Sequence, residues 1–219
     1  MLNHMLKASN KTAPPAMQYI SVSTYTATVA ATTHNVTAPT TYNAGDLIMI
    51  LIASKSNTAQ TLTDSGWTTV FNEYNEDAQN TMHVAYRTAG SEPSTYGVTQ
   101  ANARGLVAAC VVLRNASYRT LSSNVDTDSA SRSVSIATFN PATDGIIYYS
   151  ALSTATDRTA TPPTGYTEVA ELYTSLSNSQ VNLQIAYRVP NSSQSTSSIA
   201  NTWSASAPNQ SALFDFVNV

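Results

Sequence analysis

The sequence predicts an all-β protein, an antiparallel β-sandwich of jelly-roll-like type, and three observations support this. Short segments alternate apolar and polar residues, as strands with one buried face do. Turn residues, such as those at 43–45, 64–66 and 162–165, separate these segments. Ser and Thr make up about a quarter of the 219 residues, and their hydroxyl groups suit strands and turns better than helix interiors.

The chain also repeats itself, with matching segments about 100 residues apart. Gly66-Trp67-Thr68 returns as Gly165-Tyr166-Thr167, and the run His-Val-Ala-Tyr-Arg at 83–87 returns as Gln-Ile-Ala-Tyr-Arg at 184–188. The apolar run 46–53 is echoed at 144–151. Because the matches keep the same order, we interpret the chain as an internal duplication.

The repeat sets the predicted domain organisation. We expect an N-terminal arm at 1–17 and one pseudo-symmetric sandwich at 18–219, with halves of about 18–120 and 121–219. A polar spacer near 121–131 joins the halves. The predicted strands include 21–29, 46–53, 67–71, 82–87 and 106–113 in the first half, and 132–139, 144–151, 181–187 and 211–217 in the second. The runs 46–53 and 144–151 are apolar throughout, which predicts central strands covered on both faces.

Four aromatic residues occupy repeated positions and are therefore predicted to belong to the structural core. Trp67 matches Tyr166, and Tyr86 matches Tyr187. We expect Trp67 and Tyr166 to be largely buried. Aromatic residues that break the repeat, such as Trp203 or Tyr148 and Tyr149, are the better candidates for a carbohydrate platform.

Composition argues against several function classes. Charged residues are only 11 % of the chain, below the usual share of about 25 %. The net charge is −3 and no basic cluster stands out, which disfavours nucleic-acid binding. No apolar stretch approaches the roughly 20 residues of a membrane span, so we expect no membrane association.

The search for catalytic, metal and cofactor sites predicts none. The single cysteine, Cys110, lies in an apolar run, as a small buried residue would. The three histidines show no metal-ligand spacing, and His83 is expected to be a surface or hydrogen-bonded histidine. The acidic group of Glu73, Glu76 and Asp77 leaves a glycosidase open as a minor alternative. We therefore expect no enzyme and no cofactor.

The predicted arm has a chemistry of its own. It combines apolar side chains with two lysines, and these are the candidate partner-binding residues: Met1, Leu2, Met5, Leu6, Lys7 and Lys11. The arm is too short and polar to form a core, which leaves a frayed tail or a contact with a neighbouring subunit as alternatives.

The order of several motifs resembles a module of tailed-bacteriophage virion proteins. These motifs are Gly-Asp-Leu-Ile at 45–48, Ser-Gly-Trp-Thr at 65–68, the run at 85–96 and the segment at 161–167, and the resemblance spans roughly residues 40–219. It implies a virion component assembled in the host cytoplasm. We expect a capsid decoration (cement) protein that binds the major capsid protein or other virion proteins, and that forms homo-oligomers. The alternative is a tail-fibre or adhesin module that binds host glycans.

Overall fold

The computed structural model describes residues 15–76, 79–134, 144–189 and 199–219. Every regular element in these ranges is a strand, and all strand pairs are antiparallel. The strands are β1 Gln18–Thr26, β2 Ala31–Thr37, β3 Leu47–Ser54, β4 Thr61–Leu62, β5 Thr68–Asn75, β6 Asn80–Thr88, β7 Thr95–Arg104, β8 Leu106–Arg114, β9 Ala116–Val134, β10 Asp144–Leu152, β11 Ala160–Thr161, β12 Thr167–Thr174, β13 Val181–Arg188 and β14 Ile199–Asn218. The predicted antiparallel β-sandwich is confirmed.

The strands form three sheets. The first sheet has the order β1-β8-β3-β6-β5, and a small sheet has the order β2-β7-β4. The second sheet contains β12-β13-β10-β14, with β9 along one side of β14 and β11 beside the start of β14 on the other. The first and second sheets pack face to face, since β1 and β8 contact β12, and β6 contacts β10 and β14.

The central strands are buried on both faces, as their apolar runs predict. In β3 every residue is buried. Met49, Leu51 and their odd-numbered neighbours face the central core between the first and second sheets, while Ile50 and Ile52 face an outer core under the small sheet. Strand β10 divides in the same way, because Ile147 lies in the central core and Tyr148 lies on the other face.

The two halves have the same strand order. The path β1-β8-β3-β6-β5 in the first sheet matches β9-β14-β10-β13-β12 in the second. Strands β7 and β8, which are separated by Gly105, match the single long strand β14, and β1 with β2 matches β9. This is a correspondence of architecture, and the duplication itself stays a prediction.

Tyrosine pairs cross the central core at equivalent places. Tyr19 of β1 stacks on Tyr187 of β13, with ring centroids 4.5 Å apart. The ring centroids of Tyr118 in β9 and Tyr86 in β6 are 5.1 Å apart. Each pair joins the first sheet to the second, so the two sheets contact each other through matching surfaces, like the subunits of a twofold dimer.

Two boundaries differ from the predicted ones. Met17, predicted as the end of the arm, is 5 % exposed and belongs to the central core. The predicted spacer near 121–131 lies within β9, and the chain passes between the sheets at Asn115, whose φ is +54°, so residues 116–120 belong to the sheet of the second half rather than to that of the first. Of the predicted strand 132–139, residues 132–134 belong to β9, and residues 135–139 lie outside the described residues.

Candidate functional site

Trp67 lies in a cluster of aromatic and charged side chains at the edge of the outer core. The Arg87 guanidinium is 5.4 Å from the Trp67 ring centroid and 5.9 Å from that of Tyr96. The Tyr96 hydroxyl donates to Glu92 Oε2 at 2.8 Å, and burial together with this carboxylate raises the Tyr96 pKa. The Trp67 ring itself is only partly buried.

Tyr166 has equivalent surroundings in the second half. Its ring lies 6.5 Å from that of Tyr148 in an edge-to-face arrangement, and Arg188 lies close to its hydroxyl. Burial raises the pKa of Tyr166. Like Trp67, it is partly buried and packs against the neighbouring apolar cluster, so the two rings occupy similar places at the edges of their clusters. An arginine beside an aromatic ring is thus common to both halves.

Tyr86 and Tyr187 were predicted as structural core, and both pack against the central core while remaining half-buried. Tyr187 also lines an open apolar groove of about 370 Å³ together with Met17, Tyr19 and Val189. Val189 is 42 % exposed. Met1, Leu2, Met5, Leu6, Lys7 and Lys11 lie outside the described residues, and Ala16, close to where the arm joins the sandwich, lines this groove.

Two ion pairs link strands within the sheets. Arg114 donates to both carboxylate oxygens of Asp46, at 2.9 and 2.8 Å, which lowers the Asp46 pKa. In the second half, Arg119 Nε donates to the fully buried Asp215 at 2.7 Å. Asp215 corresponds to Val112 of the first half by strand register, so a charged pair there replaces an apolar contact.

The surroundings of the potentially reactive side chains differ from those of catalytic groups. Cys110 is fully buried, and burial raises its pKa to about 12. His83 is 1 % exposed rather than on the surface, and burial lowers its pKa to about 4. Glu73 and Glu76 are exposed on the β5–β6 hairpin, while Asp77 lies outside the described residues. Within the described ranges, no three His, Cys, Asp or Glu side chains are grouped as metal ligands.

A buried polar network fills the outer face of the second sheet, and sequence reasoning missed it. The Tyr148 hydroxyl lies 2.8 Å from Asn201 Oδ1 and 3.0 Å from Ser211 Oγ. Trp203 Nε1 donates to Ser150 Oγ at 3.1 Å, and Asn201 Nδ2 donates to Gln184 Oε1 at 3.0 Å. Trp203, Tyr148 and Tyr149 are at most 1 % exposed, so these rings cannot stack on a sugar as the carbohydrate hypothesis required.

Comparisons with known proteins add no relative. No protein-family model matches the chain, and neither the curated proteins nor the solved structures gave a match. In the part of the chain that the structure describes, no helix has the length and apolar character to cross a membrane.

Proposed function

We propose that the chain is a non-enzymatic structural protein of a tailed-bacteriophage particle, foremost a decoration protein that binds the outside of the capsid and stabilises it. The observation that carries this proposal is that the potentially reactive side chains are paired with other side chains or buried inside the fold. Asp46 and Asp215 are bound by arginines, and His83 and Cys110 are buried and favour their neutral forms. The resemblance of the sequence motifs supplies the class of particle.

The architecture suits a part that bears load. Two stacked sheets share a core of interdigitating side chains, and the outer faces of their central strands are covered as well. The edge strands β5 and β12 each carry a bulge, between Thr69 and Phe71 and between Glu168 and Ala170. Such bulges discourage uncontrolled pairing between copies.

The proposed contact surface lies where the arm joins the sandwich. Of the described residues, three large hydrophobic side chains are exposed, Val29, Val189 and Val219, and Val189 lines the groove beside Tyr187. The partners are the major capsid protein, other virion proteins and further copies of this chain, met during assembly in the host cytoplasm.

Counting the copies of the chain in purified particles tests the proposal. A decoration protein should be present in hundreds of copies, and particles that lack it should release their genome at a lower temperature. A handful of copies per particle would instead place the chain in the tail, where the adhesin alternative belongs. Absence from the particle would refute both.

Deleting residues 1–14 tests the arm separately. This deletion keeps Met17 in the core, so the melting temperature should stay unchanged while binding to particles weakens. A matched variant replaces Met1, Leu2, Met5 and Leu6 with Ser and keeps Lys7 and Lys11, which separates the apolar contribution from the charged one. Unchanged occupancy in both variants would show that the arm takes no part in binding.

A further inference from the structure

His83 is enclosed in the first half in a way that its sequence context does not suggest. The side chain lies on the outer face of the first sheet, between β3 and β5, and is 1 % exposed. Its Nε2 is 3.3 Å from Thr69 Oγ1, and Nδ1 has no hydrogen-bond partner among the residues that the structure describes. A protonated ring would need a partner for both nitrogens, because both then carry hydrogen.

The segment 55–60, between β3 and β4, is fastened by the three residues that surround His83. Thr81, two residues earlier on the same face, donates from Oγ1 to the Ser56 carbonyl at 2.6 Å. Asn72, directly opposite His83, accepts the Gln60 N–H at 3.0 Å. Ser54, opposite Thr81, accepts from Gln60 Nε2 at 2.8 Å. These anchors place the segment across the position of His83, and we name it the first strap.

Among the residues that the structure describes, no carboxylate forms a hydrogen bond or ion pair with His83. Burial is the cause that lowers its pKa. On the outer face of the strands around it and in the strap, the titratable or charged residues are Lys55, Tyr74 of β5, Arg87 of β6, and Cys110 and Arg114 of β8; Arg87 is paired with Glu92 and Arg114 with Asp46. Glu73 of β5 lies opposite Met82, on the other face of the sheet, and is exposed. Neither Lys55 nor Arg87 can stabilise a positive charge on His83.

The second half contains an equivalent strap at 153–159 with different chemistry beneath it. Its anchors are Asn182, which accepts the Arg158 N–H at 2.8 Å, and Glu171, which accepts the Ala160 N–H at 2.8 Å. The residue at the position of His83 is Gln184, whose Nε2 donates to the Ala160 carbonyl at 2.9 Å. Gln184 cannot take up a proton at any physiological pH.

We propose that the first strap opens in acid, because uptake of a proton by His83 requires residues 55–60 to move aside and admit water, while the second strap stays closed. The fold thus contains one acid-sensitive strap and one acid-insensitive copy of it. This inference does not depend on the particle in which the chain acts.

The pH dependence of strap opening follows from the pKa of His83 when the strap is closed and when it is open. The closed form binds the proton weakly, so the strap is fully stable above the ordinary histidine pKa of about 6.5 and loses stability as the pH falls towards the folded value of about 4. These two values make the opening equilibrium about 30-fold more favourable at pH 5 than at pH 7.5. In the second strap, burial raises the Glu171 pKa, so protonation of that group favours the closed form.

Hydrogen exchange of the full chain, read by mass spectrometry at pH 7.5 and pH 5 and corrected for the intrinsic rate, tests the proposal. Amides of 55–60 should exchange about 30-fold faster at pH 5, while those of 153–159 should not exchange faster. The variant His83→Gln, which places the residue of the second strap beneath the first, should abolish the acid effect. An equal increase in both straps, no increase in the first, or an increase that persists in His83→Gln would overturn the proposal.

Wild-type protein provides a second measurement in case His83→Gln fails to fold. In an NMR titration, the His83 ring should titrate below its ordinary pKa, and the amide signals of 55–60 should shift with the same midpoint. A ring that titrates near 6.5 while those amides stay unchanged would equally refute the strap.

Discussion

Met17 and Gly145 form a contact whose removal can be predicted in detail. A Cβ added to Gly145 would overlap Cε of Met17 and lie 2.9 Å from its Sδ, while the nearest backbone atom, the Arg188 carbonyl oxygen, is 3.2 Å away. Gly145→Ala should therefore force the flexible end of the Met17 side chain to move from its place in the central core. The loss of stability should not exceed the roughly 1.5–3 kcal/mol of losing the burial of a whole such side chain.

A double-mutant cycle measured by urea unfolding isolates this contact. Met17→Ala alone should cost at least about 2 kcal/mol. Once Met17 is truncated, only the close approach to the Arg188 carbonyl remains, so Gly145→Ala should cost less stability in that background than in the wild type. Gly90→Ala is the matched control, because a Cβ there meets no atom within 4 Å. If Gly145→Ala costs the same with and without Met17, the reasoning about this contact fails.

Three further perturbations probe the charged and aromatic contacts. Because Arg114 lowers the Asp46 pKa, the pair stabilises the fold above the ordinary aspartate pKa of about 4 and loses this effect as the pH falls further. Asp46→Asn should therefore lower the melting temperature at pH 7, and the melting temperature of the variant should fall less steeply in acid. Asp215→Ala removes the buried carboxylate that Arg119 binds; because the Arg119 side chain is 33 % exposed, the loss in denaturant unfolding should stay below the roughly 3–5 kcal/mol of a fully buried pair. Asp215→Val with Arg119→Ile, which copies the first half, should recover most of that loss. Trp67→Ala should cost no more than about 3 kcal/mol, the low end of the range for a fully buried Trp, since the ring is partly exposed, and a larger loss would contradict its placement.

The sequence predicted well those features that depend on continuous apolar runs. The run 46–53 gave a central strand because an unbroken apolar segment needs cover on both faces, and β3 has it. The matching of Tyr86 with Tyr187 correctly placed both at corresponding positions of β6 and β13. Side chains that serve the same packing role in both halves are the ones that a repeat reveals.

Polar residues limited the prediction, because Ser, Asn and Gln have the same chemistry on a surface and in a buried network. Ser150 occupies the position of Ile52, and Gln184 that of His83, so this part of the outer face of the second sheet gave no apolar signal. Asn201 and Trp203 were likewise not assigned to a strand, although both are buried in β14. Their burial depends on partners from distant strands, which no local pattern contains.

The outer core of the first half and the polar network on the outer face of the second sheet should respond differently to cooling. Beneath the small sheet, Ile48, Ile50 and Val112 bury aliphatic surface, whose exposure raises the heat capacity and whose stabilising effect weakens on cooling. In the second half, the network around Tyr148 and Asn201 buries polar groups, whose exposure lowers the heat capacity. On cooling, the outer core of the first half should therefore loosen before the polar network of the second.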